Sequence, residues 1–186
     1  GVAKPFRSKK RRLCLPAQGF VPIQAEYAKD LFDEKLADTN PSFFENEKYE
    51  PALSIENVYY KTNRKKIPYY PARILWYVSQ SQMMGTGAIR ACSYLELVKV
   101  GNAKSLYHSY RRLGVLDYNL LVHMGAGTLA AYKFSYTELF DKPVALDRIR
   151  KILRNPRFSV QSYKEIRNEQ FLKIYSEGMC DVGTFE

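Results

Sequence analysis

Arg73-Ile74-Leu75-Trp76-Tyr77-Val78 is followed by the polar turn Ser79-Gln80-Ser81-Gln82-Met83-Met84-Gly85-Thr86-Gly87 and then by the long run Ala88 to Val100. After Arg73 the first segment is apolar, enough to predict a central, buried strand. The second predicts a long strand antiparallel to it, because a short polar turn joins the two. This pair decides the fold: everything upstream and downstream must pack around a sheet whose middle is the Arg73–Val78 strand.

Outward from that pair, Ile55 to Lys61 is rich in β-branched and aromatic residues and predicts a further strand. Asn63 to Pro71 is a loop of cations, tyrosines and prolines. Downstream, Asn102 is placed to cap a helix running to Leu113, with Gly114 as its terminator. Asp117 caps a second short helix through His123, and Leu129 to Ser135 returns as a strand. Helices are expected over Asp147–Leu153 and Arg167–Gly178, and upstream over Ala25–Leu36. Strands come first, helices are inserted between later strands, and a helix closes the chain. This order predicts an α+β domain on a curved mixed or antiparallel sheet, or a small open barrel with flanking helices.

The chain has 186 residues, which suits one domain with a short appendage. Aromatics make up 14%, enough buried surface to argue against disorder. No apolar run approaches the ~18 residues of a membrane helix, and no signal-peptide hydrophobic region follows the basic start, so no membrane partner is expected. Cys14, Cys92 and Cys180 stand far apart and form no paired framework or zinc knuckle, which fits a reducing, cytoplasmic setting. With only His108 and His123 as histidines, no metal, cofactor or catalytic triad is expected. Phosphate-binding and dinucleotide glycine loops are missing as well.

The formal net charge of +10 is unevenly spread. Residues 1–12 hold six basic residues and no acid. Lys61, Arg64, Lys65, Lys66 and Arg73 form a second block, and Arg148, Arg150, Lys151, Arg154, Arg157, Lys164 and Arg167 a third. Residues 26–50 are acidic instead. Separate basic blocks either present a positive face to a polyanion or are solvated surfaces on different sides.

Several segments, in order, resemble the ASCH domains of the PUA-like superfamily. Ser54-Ile55-Glu56-Asn57-Val58-Tyr59-Tyr60-Lys61 is similar to the first family strand, and Arg73-Ile74-Leu75-Trp76-Tyr77-Val78-Ser79 to the next. Thr86-Gly87-Ala88-Ile89-Arg90-Ala91 is similar to the strand that follows. Phe134-Ser135, Pro143-Val144-Ala145-Leu146, Ile149-Arg150, Gln161-Ser162-Tyr163, Ile166, Phe171, Ile174 and Gly178 resemble the closing pattern. Phe20-Val21-Pro22-Ile23-Gln24-Ala25-Glu26-Tyr27 resembles a lead-in found where such a domain follows an acetyltransferase domain, although no acetyltransferase sequence is visible here. The expected organisation is therefore a basic arm or linker over 1–18, an extension packing on the domain over 19–50, and the PUA-like domain over 51–180. The family's Gly-x-Lys-x-x-Glu-x-Arg signature is not intact: Glu56 can stand for its Glu, but the other positions are out of register. The amidohydrolase activity of some members is therefore not carried over.

The resemblance implies a cleft beside the curved sheet that takes a nucleotide or a single base. Such a site needs ring faces, polar groups for the base edge, and cations for phosphate. Glu56, Asn57, Tyr59, Tyr77, Ser79 and Gln80 are the candidates for the base. Lys61, Arg64, Lys65, Lys66, Arg90, Arg150 and Arg154 are the candidates for phosphate. Strand alternation lets only one of Tyr59 and Tyr60 face the cleft, and Trp76 is expected in the core. A strand Glu such as Glu56 is more often a salt-bridge partner, here of Arg73 or Arg90. The resulting expectation is a binding module for RNA, DNA or a modified nucleobase, the recognition or docking part of a larger system. Its partners would be nucleic acid or nucleotide, with a protein or a linked N-terminal domain as further partners. A nucleobase amidohydrolase or nuclease would instead need Glu56 to converge with Lys61 or Lys66, and a protein-interaction domain would use the acidic 26–50 segment.

Overall fold

The computed structural model describes residues 17–32, 55–62, 67–82, 86–114, 116–124 and 128–179. Six strands form one mixed sheet: β1 (Ala17–Ile23), β2 (Glu56–Thr62), β3 (Ala72–Val78), β4 (Ala88–Gly101), β5 (Leu129–Ala145) and β6 (Lys164–Glu165). Around them lie α1 (Ala25–Leu31), α2 (Ala103–Tyr110), α3 (Tyr118–Met124), α4 (Leu146–Leu153) and α5 (Asn168–Gly178). The strand order is β2-β5-β4-β3-β1-β6. β1 runs parallel to β3, and the other pairs are antiparallel.

The sheet curls until it nearly closes. In a flat sheet, β2 and β3 would lie about 14 Å apart, three strand spacings. Yet the rings of Tyr59 on β2 and Trp76 on β3 sit with centroids 5.7 Å apart, edge to face. Lys61 Nζ likewise comes within 3.4 Å of the Pro22 carbonyl oxygen on β1, four positions away in the sheet. The cause lies in the two long strands. The β4–β5 ladder shifts register at Ile89/Ala91, Cys92/Tyr94 and Leu95/Leu97, and each such bulge adds local bend and twist. The ladder passes from Ala91↔Leu139 to Ile89↔Val144, leaving residues 140–143 outside the pairing. Pro143, which has no N–H to donate, is accommodated there.

The concave face holds one core: Val21, Ile23, Ile74, Trp76, Leu95 and Phe134, closed over by Ala28, Leu31 and Phe32 of α1 and its end. Trp76 is fully buried, as expected, and its indole N–H donates to Ser93 Oγ at 2.8 Å. The convex face carries two further cores. Phe20, Leu75, Tyr77, Ile89, Phe171 and Ile174 pack under α4 and α5. Val58, Tyr60, Leu106, Leu121 and Ala131 pack under α2 and α3.

Several expectations are met locally. β3 and β4 pair antiparallel. Asn102 Oδ1 accepts from the Ser105 N–H at 2.8 Å, and Asp117 Oδ1 from the Leu120 N–H at 2.8 Å. Others need correction. β5 continues ten residues beyond Ser135 to Ala145, because its second half pairs with the start of β4. β1 crosses the boundary expected between residues 18 and 19 and runs inside the sheet between β3 and β6, and Gly19 lets it lie flat on Tyr163: a Cβ there would come 2.4 Å from the ring. Glu56 is paired with Lys133 at 2.9 Å rather than with Arg73 or Arg90, because it points to the convex side. Arg73 instead meets Glu138 at 3.1 Å. The helix expected over Ala25–Leu36 is described only to Phe32. Among the described residues no helix is long and apolar enough to cross a membrane.

Candidate functional site

A cleft of about 540 Å³ opens at the seam where the curled sheet fails to close, between the ends of β1 and β2. Pro22 and Ile23 end β1 there, Gln24 and Tyr27 begin α1, and Lys61 and Thr62 end β2. Ser79 follows β3, Met124 ends α3, and Val160 and Gln161 precede β6. A volume of this size lies within the ~300–1,000 Å³ range of small-ligand sites.

Alternation along β2 decides what reaches it. Tyr59 and Lys61 face the concave side with Asn57, while Glu56, Val58 and Tyr60 face the convex side. Tyr59 forms the floor: it is 6% exposed and contacts Tyr27 (6.2 Å between centroids), Trp76 and Tyr132. Burial, followed by the neighbouring Tyr27 and Tyr132, holds its phenol well above the ordinary value, so it is a neutral hydroxyl at every physiological pH. Tyr27 stands higher on the wall, half-buried. Its phenol is also raised, by burial and then by Glu26 and Asp30. Lys61 is the cation of the described lining, with its ammonium near the Pro22 carbonyl. Gln24, Ser79 and Gln161 add amide and hydroxyl groups able to donate and accept. No carboxylate lines the cleft among the described residues.

The candidates from sequence divide accordingly. Tyr59, Lys61 and Ser79 come together in the cleft. Asn57 lies deeper on the same face, 3% exposed, opposite Phe134. Gln80 follows Ser79 into solvent beside Gly87. Tyr77 is buried in the convex core, on the other side of the sheet, where burial raises its phenol pKa. Glu56 shares Lys133 with Glu96, both at 2.9 Å, and these two hydrogen bonds raise the lysine's pKa. It therefore does not converge with Lys61. Arg90 lies at the β4 bulge. Arg150 bonds the Phe158 carbonyl (3.0 Å) and Asp147 (2.9 Å), and Arg154 forms the left-handed cap of α4. Arg64, Lys65 and Lys66 lie outside the described residues.

The sequence reading missed Tyr27, Gln24, Met124 and Gln161. Gln161-Ser162-Tyr163 reads as an anchor for the last helix. In the structure Gln161 lines the cleft and Tyr163 fills the concave core, and α5 is tied to β1 by Gln18 Nε2 donating to Asn168 Oδ1 at 2.8 Å.

No family profile matches the chain, and no curated protein matches it in sequence. Solved structures do. The crystal structure of the ASCH protein from Zymomonas mobilis superimposes with a TM-score of 0.62 at 19% identity, covering 86% of this chain and 94% of that one. A serine-to-alanine variant of that protein gives 0.64 at 19% identity, covering 88% and 99%. A tyrosine-to-phenylalanine variant gives 0.63 at 18%, covering 86% and 96%. The curled six-stranded mixed sheet, its α1 plug and its helical flanks thus share the fold of the Zymomonas mobilis ASCH structure.

Proposed function

We propose that this chain is a nucleic-acid recognition module that seats one base, plain or modified, in the cleft between β1 and β2. The observation that carries this reading is the composition of the cleft: two tyrosines, one lysine and four polar side chains around a base-sized hollow. Tyr27 offers a ring to stack on, worth ~1–3 kcal/mol per base. Ser79, Gln24 and Gln161 supply donors and acceptors for a base edge, and Lys61 supplies charge for the adjoining phosphate. Arg64, Lys65 and Lys66 follow Thr62 after one residue, Asn63, and we assign them to the same phosphate path. The net charge of +10 favours encounter with a polyanion. The described lining lacks a carboxylate for acid–base hydrolysis, and Glu56 is engaged elsewhere, which favours binding over catalysis. In this reading the chain is the docking or recognition part of a larger system.

Fluorescence anisotropy with labelled single-stranded RNA, single-stranded DNA and duplexes tests it. Binding should weaken with salt, and Tyr27→Ala should reduce affinity by about tenfold or more, as expected for a lost stacking partner. Absence of binding to every probe, or an unchanged affinity in Tyr27→Ala and Lys61→Ala, contradicts it.

A further inference from the structure

The outer face of α2 is a second concentration of charge. Ala103, Leu106, Tyr110 and Leu113 turn toward the sheet. Lys104, His108 and Arg111 therefore recur at i, i+4 and i+7 on the opposite side, spanning about 10 Å of helix, with Arg112 beside them. All four are exposed. Residues 97–116 contain no acid, and the flanking acids are engaged: Glu96 with Lys133, Asp117 with the Leu120 N–H. The other basic helix differs. On α4, Arg148 pairs with Glu177 and Arg150 with Asp147. A run of like charges left unbalanced on a folded surface repels itself, and a polyanion relieves it. Beside this stripe lies an aromatic pair. Tyr107 is one helical step from Arg111, and the ring of Tyr118 on α3 packs on it at 5.5 Å while remaining 40% exposed. The far end of α3 is Met124, part of the cleft wall.

We propose that the outer face of α2, with Tyr118, is a second contact for single-stranded nucleic acid: Lys104, Arg111 and Arg112 meet its phosphates and Tyr118 stacks on one of its bases. This rests on the reading of the cleft as a base site, and extends that site from one nucleotide to a strand that runs along α3. The open tyrosine face selects an unpaired strand, because duplex bases present no free ring faces.

The test is anisotropy over a series of salt concentrations with labelled triuridylate and a single-stranded RNA of about 16 nucleotides, the upper site size of a strand-tracking groove. The proteins compared are the wild type, Lys61→Ala, and the triple variant Lys104→Gln, Arg111→Gln, Arg112→Gln, whose changes are all at exposed positions; thermal melting checks its folding. The triple variant should retain triuridylate affinity, lose about tenfold or more on the long RNA, and show a salt slope lower by about 2, at ~0.7 per phosphate contact. Lys61→Ala should weaken both probes. A triple variant with unchanged long-strand affinity and slope overturns the inference. Lys61→Ala without effect on either probe overturns the cleft reading and leaves the α2 surface standing. If polyglutamate binds and the triple variant loses it while keeping the RNA, the surface serves an acidic protein and the inference fails.

Discussion

Trp76 shows how a single side chain can hold a curled sheet together. It is the one tryptophan of the chain, it lies at the centre of the concave core, and Phe32, Tyr59 and Phe134 surround its ring. Its N–H donates to Ser93 Oγ, and that oxygen lies 2.8 Å from Thr137 Oγ1. The small polar chain links β3, β4 and β5 where water is excluded. Ser93→Ala leaves the indole donor buried without a partner, which costs ~1–3 kcal/mol. Urea unfolding followed by Trp76 fluorescence should show a lower midpoint with an unchanged slope. An unchanged midpoint would mean that the donor finds another acceptor.

At the scale of elements, the helices on the convex face are joined by charge. Arg148 of α4 grips Glu177 of α5 through two nitrogens, one bond at 2.6 Å. The hydrogen bonds to Arg148 hold the Glu177 carboxyl below its ordinary value of 4.5. A carboxyl with a depressed folded pKa adds stability above its unfolded pKa and loses it as pH falls through the folded one. The melting temperature of the wild type should therefore exceed that of Glu177→Gln near neutrality, and the gap should shrink as pH drops through 4. The effect is small because both partners meet solvent. A gap that stays constant to pH 3 would rule out the ion pair as its source. The same scale shows what was readable in advance. Ile74 to Val78 of β3 is a continuous apolar run, and the caps at Asn102 and Asp117 act within three residues, so local sequence predicts them. The Glu56–Lys133 pair joins positions 77 residues apart, and β5 takes its length from pairing with β4, so neither leaves a local mark.

For the whole molecule, closure decides function. The cleft exists because bulges in β4 and β5 bring β2 within reach of β1 without letting the two pair. Alternation on β2 predicts that Tyr59 and Tyr60 part company, and they do: Tyr60 packs against Gly114 on the convex side. The convergence of Tyr27, Lys61, Ser79 and Gln161 depends on the curl of the entire sheet, so Tyr27 and Gln161 stayed hidden among ordinary helix and loop residues. The most direct measurement is an NMR titration of the protein with triuridylate, followed through backbone amides. The shifts should gather at Gln24, Tyr27, Lys61, Ser79 and Gln161 and disappear in Lys61→Ala. Shifts confined to the α4–α5 side, or none at saturating ligand, would contradict a base site at the seam of the barrel.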